Sequence, residues 1–241
     1  MKRQPVSTDR FHLWLMLTLT FSTGVVDAVG FLGLDQVFTG NMTGNVVLLG
    51  MAIAGGSDLP VLRPALALLF FMIGAVIGGR ALRTASEGWS GRTSATFLLV
   101  SVLTGGLALF TALVDVTADH LLGSVTTSTL ALAMGIQAAT AKRLKVAEIT
   151  TVVVTSTITG LASDSRLAGG KSPFWVRRAL AISLILLGAL VGAAALQLDL
   201  WVGIALSAVL SAVVTLIGQL RHRKDRRAAA NERELEPAAA G

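Results

Sequence analysis

Apolar runs of about twenty residues, separated by short polar or charged stretches, set the pattern of this chain. Residues 13–34, 61–82, 95–114, 121–141, 175–196 and 200–220 are long enough as helices to cross a hydrocarbon core of ~30 Å. Two other stretches break the pattern. Residues 37–50, VFTGNMTGNVVLLG, are uncharged yet polar where a spanning helix should be most apolar. Val37, Phe38 and Thr39 favour extended backbone, Asn41, Thr43 and Asn45 are helix-capping types, and only residues 46–54 form an unbroken apolar or small-residue run. Nine helical residues rise roughly 14 Å, about half the core. The pattern predicts an extended strand, a turn at residues 40–44 and a half-helix leaving by the side it came from. In lipid, such backbone survives only when buried in protein or facing a water-filled cavity. The alternative is an ordinary helix whose Asn and Thr side chains pack against neighbours. Residues 149–163, ITTVVVTSTITGLAS, would rise only about 22 Å and begin with a Thr- and Val-dense half, making a second half-membrane segment.

Composition sharpens this. With 53% hydrophobic and 14% charged residues, the chain has too few charges to cover a soluble globule. The expected fold is an all-α polytopic membrane protein, a single membrane domain over residues 1–241 with six transmembrane helices and two re-entrant half-helix segments. A signal peptide cleaved after Ala28 is not expected, because apolar character continues through Val29, Phe31 and Leu32. Residues 221–241 read as a disordered cytoplasmic tail.

Charge bias selects the topology. If all eight apolar segments crossed, the Arg80–Arg83–Arg92 and Lys142–Arg143–Lys145 clusters would lie opposite the basic N-terminus, against the positive-inside tendency. With two re-entrant segments, every basic cluster and both termini become cytoplasmic in a bacterial inner membrane, and Asp35, Asp58, Asp115, Asp119 and Asp199 fall outside. Arg63, paired by sequence with Asp58, is the exception. The net charge of +6 is thereby explained by topology, and no nucleic-acid partner is expected. Trp14, Trp89, Trp175 and Trp201 fall at span ends, as interfacial tryptophans do.

Placing Gly24 over Gly135 aligns residues 12–114 with residues 120–220. Thr39 and Thr43 then fall near Thr151 and Thr155, and the Gly74–Gly78 pair matches Gly188–Gly192. With the topology above, the halves run in opposite directions, an inverted repeat of the kind found in secondary transporters and some channels. The glycine pairs suit packing within a monomer as readily as a homodimer.

Two half-helices pointing their N-termini at mid-membrane would offer unsatisfied N–H groups and partial positive charge. The candidate solute-binding residues are Asn41, Thr43 and Asn45 from one half and Thr155, Ser156 and Thr157 from the other, with an anionic or small polar solute preferred. Asp27, well inside the first span, is a candidate coupling-ion or polar membrane site, because an intramembrane carboxylate is costly. Gln137 is its nearest polar neighbour in the aligned fifth segment. The structural alternative for each is capping or hydrogen bonding within the fold, and the whole chain then reads as a scaffold or partner-binding protein. The motif set of an enzyme is missing, so catalysis is not expected. The chain has no Cys, and its three His are scattered, so neither a metal site nor a cofactor is expected. The partners expected are the bilayer and a small-molecule or ion solute.

Residues 22–50, with the G-x-x-D-A element at Gly24, Asp27 and Ala28 and the N-M-T-G-N element from Asn41 to Asn45, resemble the YoaK family of small bacterial inner-membrane proteins. The second-half marks are Gly135, Gln137, Ala139, the basic Lys142–Arg143 pair and the Thr-rich run 150–159. The residue after the Gln is often Asn in that family and is Ala138 here. The resemblance implies six spans and leaves activity open. In this topology a reporter fused at Gly56 is exposed outside the cell; a cytoplasmic signal from that fusion would refute it.

Overall fold

A computed structural model describes residues 8–55, 59–85, 88–144, 154–171 and 174–239. Its helices are α1 (Thr8–Gly33), α2 (Met42–Ile53), α3 (Leu62–Ala81), α4 (Gly91–Leu113), α5 (His120–Arg143), α6 (Val154–Ser163), α7 (Trp175–Leu196) and α8 (Leu200–Ala239), with a 3-10 turn at Arg166–Ala168. Six of them, α1, α3, α4, α5, α7 and α8, are long and apolar enough to cross a membrane. No strand occurs among the described residues. Asp58, Lys145, Thr151 and residues 149–153 of the second short segment lie outside them.

Capping explains where the helices depart from the hydropathy pattern. α2 starts at Met42, not at Val46, so the turn expected at residues 40–44 is half helix: the Asn41 side chain accepts from the Gly44 N–H at 3.4 Å and closes the first turn earlier. α4 gains a turn because Ser90 and Thr93 bond reciprocally in a capping box. Asp119 caps α5 by accepting from Leu121 and Leu122. The tail expected to be disordered is instead helical to Ala239, because residues 221–236 are mostly strong helix formers and Arg221 pairs with Asp225 one turn on at 3.2 Å. Trp89 stands beside the start of α4, as expected, but packs inside the protein. It is buried between His12, Phe97 and Gly218, and its indole N–H donates to Ser94 at 2.8 Å.

Glycines set the helix pairs. Gly24 lies against the backbone of Ile185 and Ala189, Gly188 against Phe21 and Gly192 against Val25, so α1 and α7 run parallel in close contact. Gly135 lies against Phe71 and Ala75, Gly74 against Leu132 and Gly78 against Ile136, so α3 and α5 do the same. Each α1–α7 contact has an α5–α3 counterpart at the positions the sequence alignment pairs. The Gly74–Gly78 and Gly188–Gly192 pairs are thus both used within the chain. α1 and α5 form the centre, with 72% and 67% of their spanning windows buried, while α3 and α7, at 28% and 22%, are peripheral.

Helix directions locate the short helices. α8 is antiparallel to α1, since Ser22 bonds Ser207 and Gly203 lies against Val29. α4 is antiparallel to α8, since Ser94 bonds Gln219 and Gly105 faces Ala208. α4 therefore runs parallel to α1, and only α3 traverses the bundle between them. α2, only twelve residues long, runs toward the end where α1 stops. By the same logic α6 serves the opposite end, where Arg143 of α5 reaches the Ala85 carbonyl.

Side chains added at these crossings collide with backbone. Gly24→Leu and Gly135→Leu should each destabilise the protein by about 3 kcal/mol, the upper end of overpacking costs. Gly106→Leu, whose Cβ would meet nothing within 4 Å, should be nearly neutral; thermal unfolding in detergent measures all three.

Candidate functional site

After α1 the chain turns back through two successive non-glycine residues in the left-handed region, Asp35 at φ 63° and Gln36 at φ 55°. Asp35 is tied to buried Arg63 at 3.9 Å, so the described partner of this outlying arginine is Asp35. The turn sends residues 37–41 back along α1. They fit closely because position 30 is glycine, where the Val37 carbonyl and the Thr39 methyl take the space of a side chain. Phe38 stacks on Phe31, ring centroids 4.8 Å apart.

This path delivers three consecutive backbone N–H groups to one carboxylate oxygen. Oδ1 of Asp27 accepts from Gly40 at 2.7 Å, Thr39 at 3.1 Å and Asn41 at 3.2 Å. The N–H groups expected to attract an anion at the start of α2 are therefore already held by a side chain of α1. Asn45 closes the same loop from the other side: its amide accepts from the Phe38 N–H at 2.9 Å and donates to the Phe38 carbonyl at 2.6 Å. Asn45 is fully buried and spends its polar atoms within the fold.

Beside Asp27 lies a cavity of about 810 Å³. Asn41, Thr43 and Gly44 of the α2 start line one wall, Val154 and Thr155 of the α6 start another, with Thr23, Phe31, Phe38 and Ile185 around them. Of the residues singled out in the sequence, Asp27, Asn41, Thr43 and Thr155 thus come together. Ser156 and Thr157 sit on α6 without lining this cavity, Ser156 exposed and Thr157 buried. Gln137 is buried and does not bond Asp27. It donates to Thr23 at 3.5 Å and accepts from Ser211 at 3.4 Å, joining α1, α5 and α8 next to the cavity wall. Sequence reasoning missed Thr23 and Phe31, whose available signal was their spacing of one turn either side of Asp27, and Ser211, which carries no such signal.

α6 is fastened at its other end. Arg178, buried in the first turn of α7, donates to the Gly160 carbonyl at 2.5 Å and to Asp164 at 2.6 Å. The guanidinium's hydrogen bond and charge hold the Asp164 carboxyl below the usual carboxylate range.

Residues 15–217 match a family described as a protein of unknown function, DUF1275. The chain is 35% identical over 192 residues to the UPF0700 transmembrane protein YoaK of Bacillus subtilis (strain 168), covering 75% of this chain and 82% of that protein. No solved structure is significantly similar to it.

Asn45→Ala removes both partners of the Phe38 peptide groups, each costing about 1–3 kcal/mol when left unpaired. It should lower stability by about 2 kcal/mol or more, read as a loss of melting temperature, whereas exposed Thr43→Ala should change it by less than about 0.5 kcal/mol.

Proposed function

The chain belongs to the DUF1275 family of proteins of unknown function, and on its geometry we propose a small membrane transporter or channel whose solute site lies where α2 and α6 meet. It is a multi-pass membrane protein by its six apolar helices and its transmembrane relative. The observation that carries the proposal is the cavity of about 810 Å³ beside Asp27, walled by the starts of both short helices. The matched glycine contacts support two repeats of opposite orientation, with α2 and α6 as re-entrant half-helices. Arg10, Arg80, Arg83, Arg143 and Arg177 gather at the end where α1 begins, and Asp35, Asp115, Asp119 and Asp199 at the other. That asymmetry supports cytoplasmic termini in a bacterial inner membrane.

Solute chemistry follows from the lining. Asp27 is the one charged side chain on the cavity wall among the described residues, and it already occupies the N–H groups of the α2 start. A small polar solute, neutral or cationic, fits better than the anion suggested by helix ends alone. Hydroxyl and amide groups of Thr43, Thr155 and Asn41 would replace part of its hydration. The protein in this proposal is not an enzyme and needs no cofactor.

A second reading, a non-transporting scaffold, is favoured by the way Asp27 and Asn45 satisfy the fold's own backbone. Single cysteines introduced into this Cys-free chain separate the two. In the transport reading Asn41→Cys and Thr155→Cys react with a charged, water-borne maleimide, while Val25→Cys, fully buried, does not. Protection of Asn41→Cys and Thr155→Cys alike would mean a dry, sealed centre and would leave the scaffold reading standing.

A further inference from the structure

Far from this cavity, the C-terminal ends of α3 and α5 enclose a second groove of about 290 Å³. Arg83, just past α3, and Lys142 and Arg143, in the last turn of α5, line it over a floor of Gly79, Leu82 and Ala139. The floor exists because Gly78 lets α3 approach Ile136 and Ala139, while nothing lies within 4 Å of where a Gly79 side chain would begin. Arg143 is steadied by one bond, from its terminal nitrogen to the Ala85 carbonyl at 3.1 Å, and its Nε is buried with no hydrogen-bond partner. Among the described residues no carboxylate pairs with Arg83, Lys142 or Arg143. Helix C-termini contribute roughly half a negative charge each, which leaves about two positive charges in excess.

We propose that this groove binds the phosphate of an anionic phospholipid. Two guanidinium groups and one ammonium match a phosphate's oxygens. The apolar side of the ligand is also provided for: one and two turns toward mid-bundle, α3 exposes Met72, Val76 and Ile77, a surface for an acyl chain. Free phosphate would use the cations but not this strip. A basic pocket between spanning helices at the headgroup level is the setting in which acidic lipids are held.

Full-length protein reconstituted in phosphatidylcholine nanodiscs doped with phosphatidylglycerol, then read by native mass spectrometry for retained lipid, tests this. Phosphatidylglycerol should be retained over phosphatidylcholine, and Arg83→Gln or Lys142→Gln should each weaken retention about five-fold. Gly79→Leu, which fills the groove and keeps every charge, should weaken it as well. Arg80→Gln, an equal charge loss on the same turn but outside the groove, should not. Equal retention of the two lipids overturns the proposal, as does an equal loss in Arg80→Gln, which would mark diffuse surface attraction. Protection against unfolding by inorganic phosphate alone, without preference for phosphatidylglycerol, assigns the groove to a free anion and overturns the lipid.

Discussion

A backbone that stops being helical inside an apolar bundle must find partners for its N–H groups, and at residues 39–41 one carboxylate oxygen of Asp27 supplies all three. The path of residues 39–41 beside the cavity, and with it the start of α2, is fixed by that single acceptor. The cost of placing a carboxylate in this setting is offset because the same group relieves three otherwise orphaned donors. Asn45 does the equivalent for the Phe38 peptide, which leaves Asn41, Thr43 and Thr155 as the polar side chains still directed at the cavity.

The surrounding frame is built on absence of side chains. Where α1 meets α7 and α3 meets α5, glycines let backbones touch, giving four helices that approach more closely than leucine-lined ones would. Short helices are then held by charge at their outer margins: Arg178 grips the end of α6 through Gly160 and Asp164, and Arg63 reaches the turn before α2 through Asp35. Both arginines are buried in the first turn of a peripheral helix, so each half ties its short helix down in a related way.

Much of this could be read from the sequence, because apolar length and charge bias report directly on what a bilayer permits. The six long helices match their apolar runs to within a turn or so, apart from the extension of α8, and Asp27, Asn41, Thr43 and Thr155 converge as their positions suggested. What escaped depends on contacts that hydropathy does not encode. Left-handed Asp35 and Gln36 have only a weak local signature, since Asp tolerates that region but Gln does so rarely. Gly30 has nothing in its sequence context to mark it, although it is what lets residues 37–39 lie on α1. Asn45 and Gln137 carry the right chemistry for a ligand, but the Asn45 amide is spent on Phe38, seven residues back across a non-helical turn, and that of Gln137 on Thr23 and Ser211, more than seventy residues away. The tail after residue 220 is ambiguous in sequence because its charge suggests solvation while its Arg, Ala and Glu content favours helix, and helix prevails.

One feature of the centre sets the two halves apart. The alignment that superposes Gly24 on Gly135 puts Ala138 where Asp27 stands, so the carboxylate has no mirror image. Under the proposed repeat, a matching acid in each half would place two carboxylates about the centre. With Ala138 at the matching position, only the first half brings an acid to the centre, and any cation drawn there meets a one-sided site.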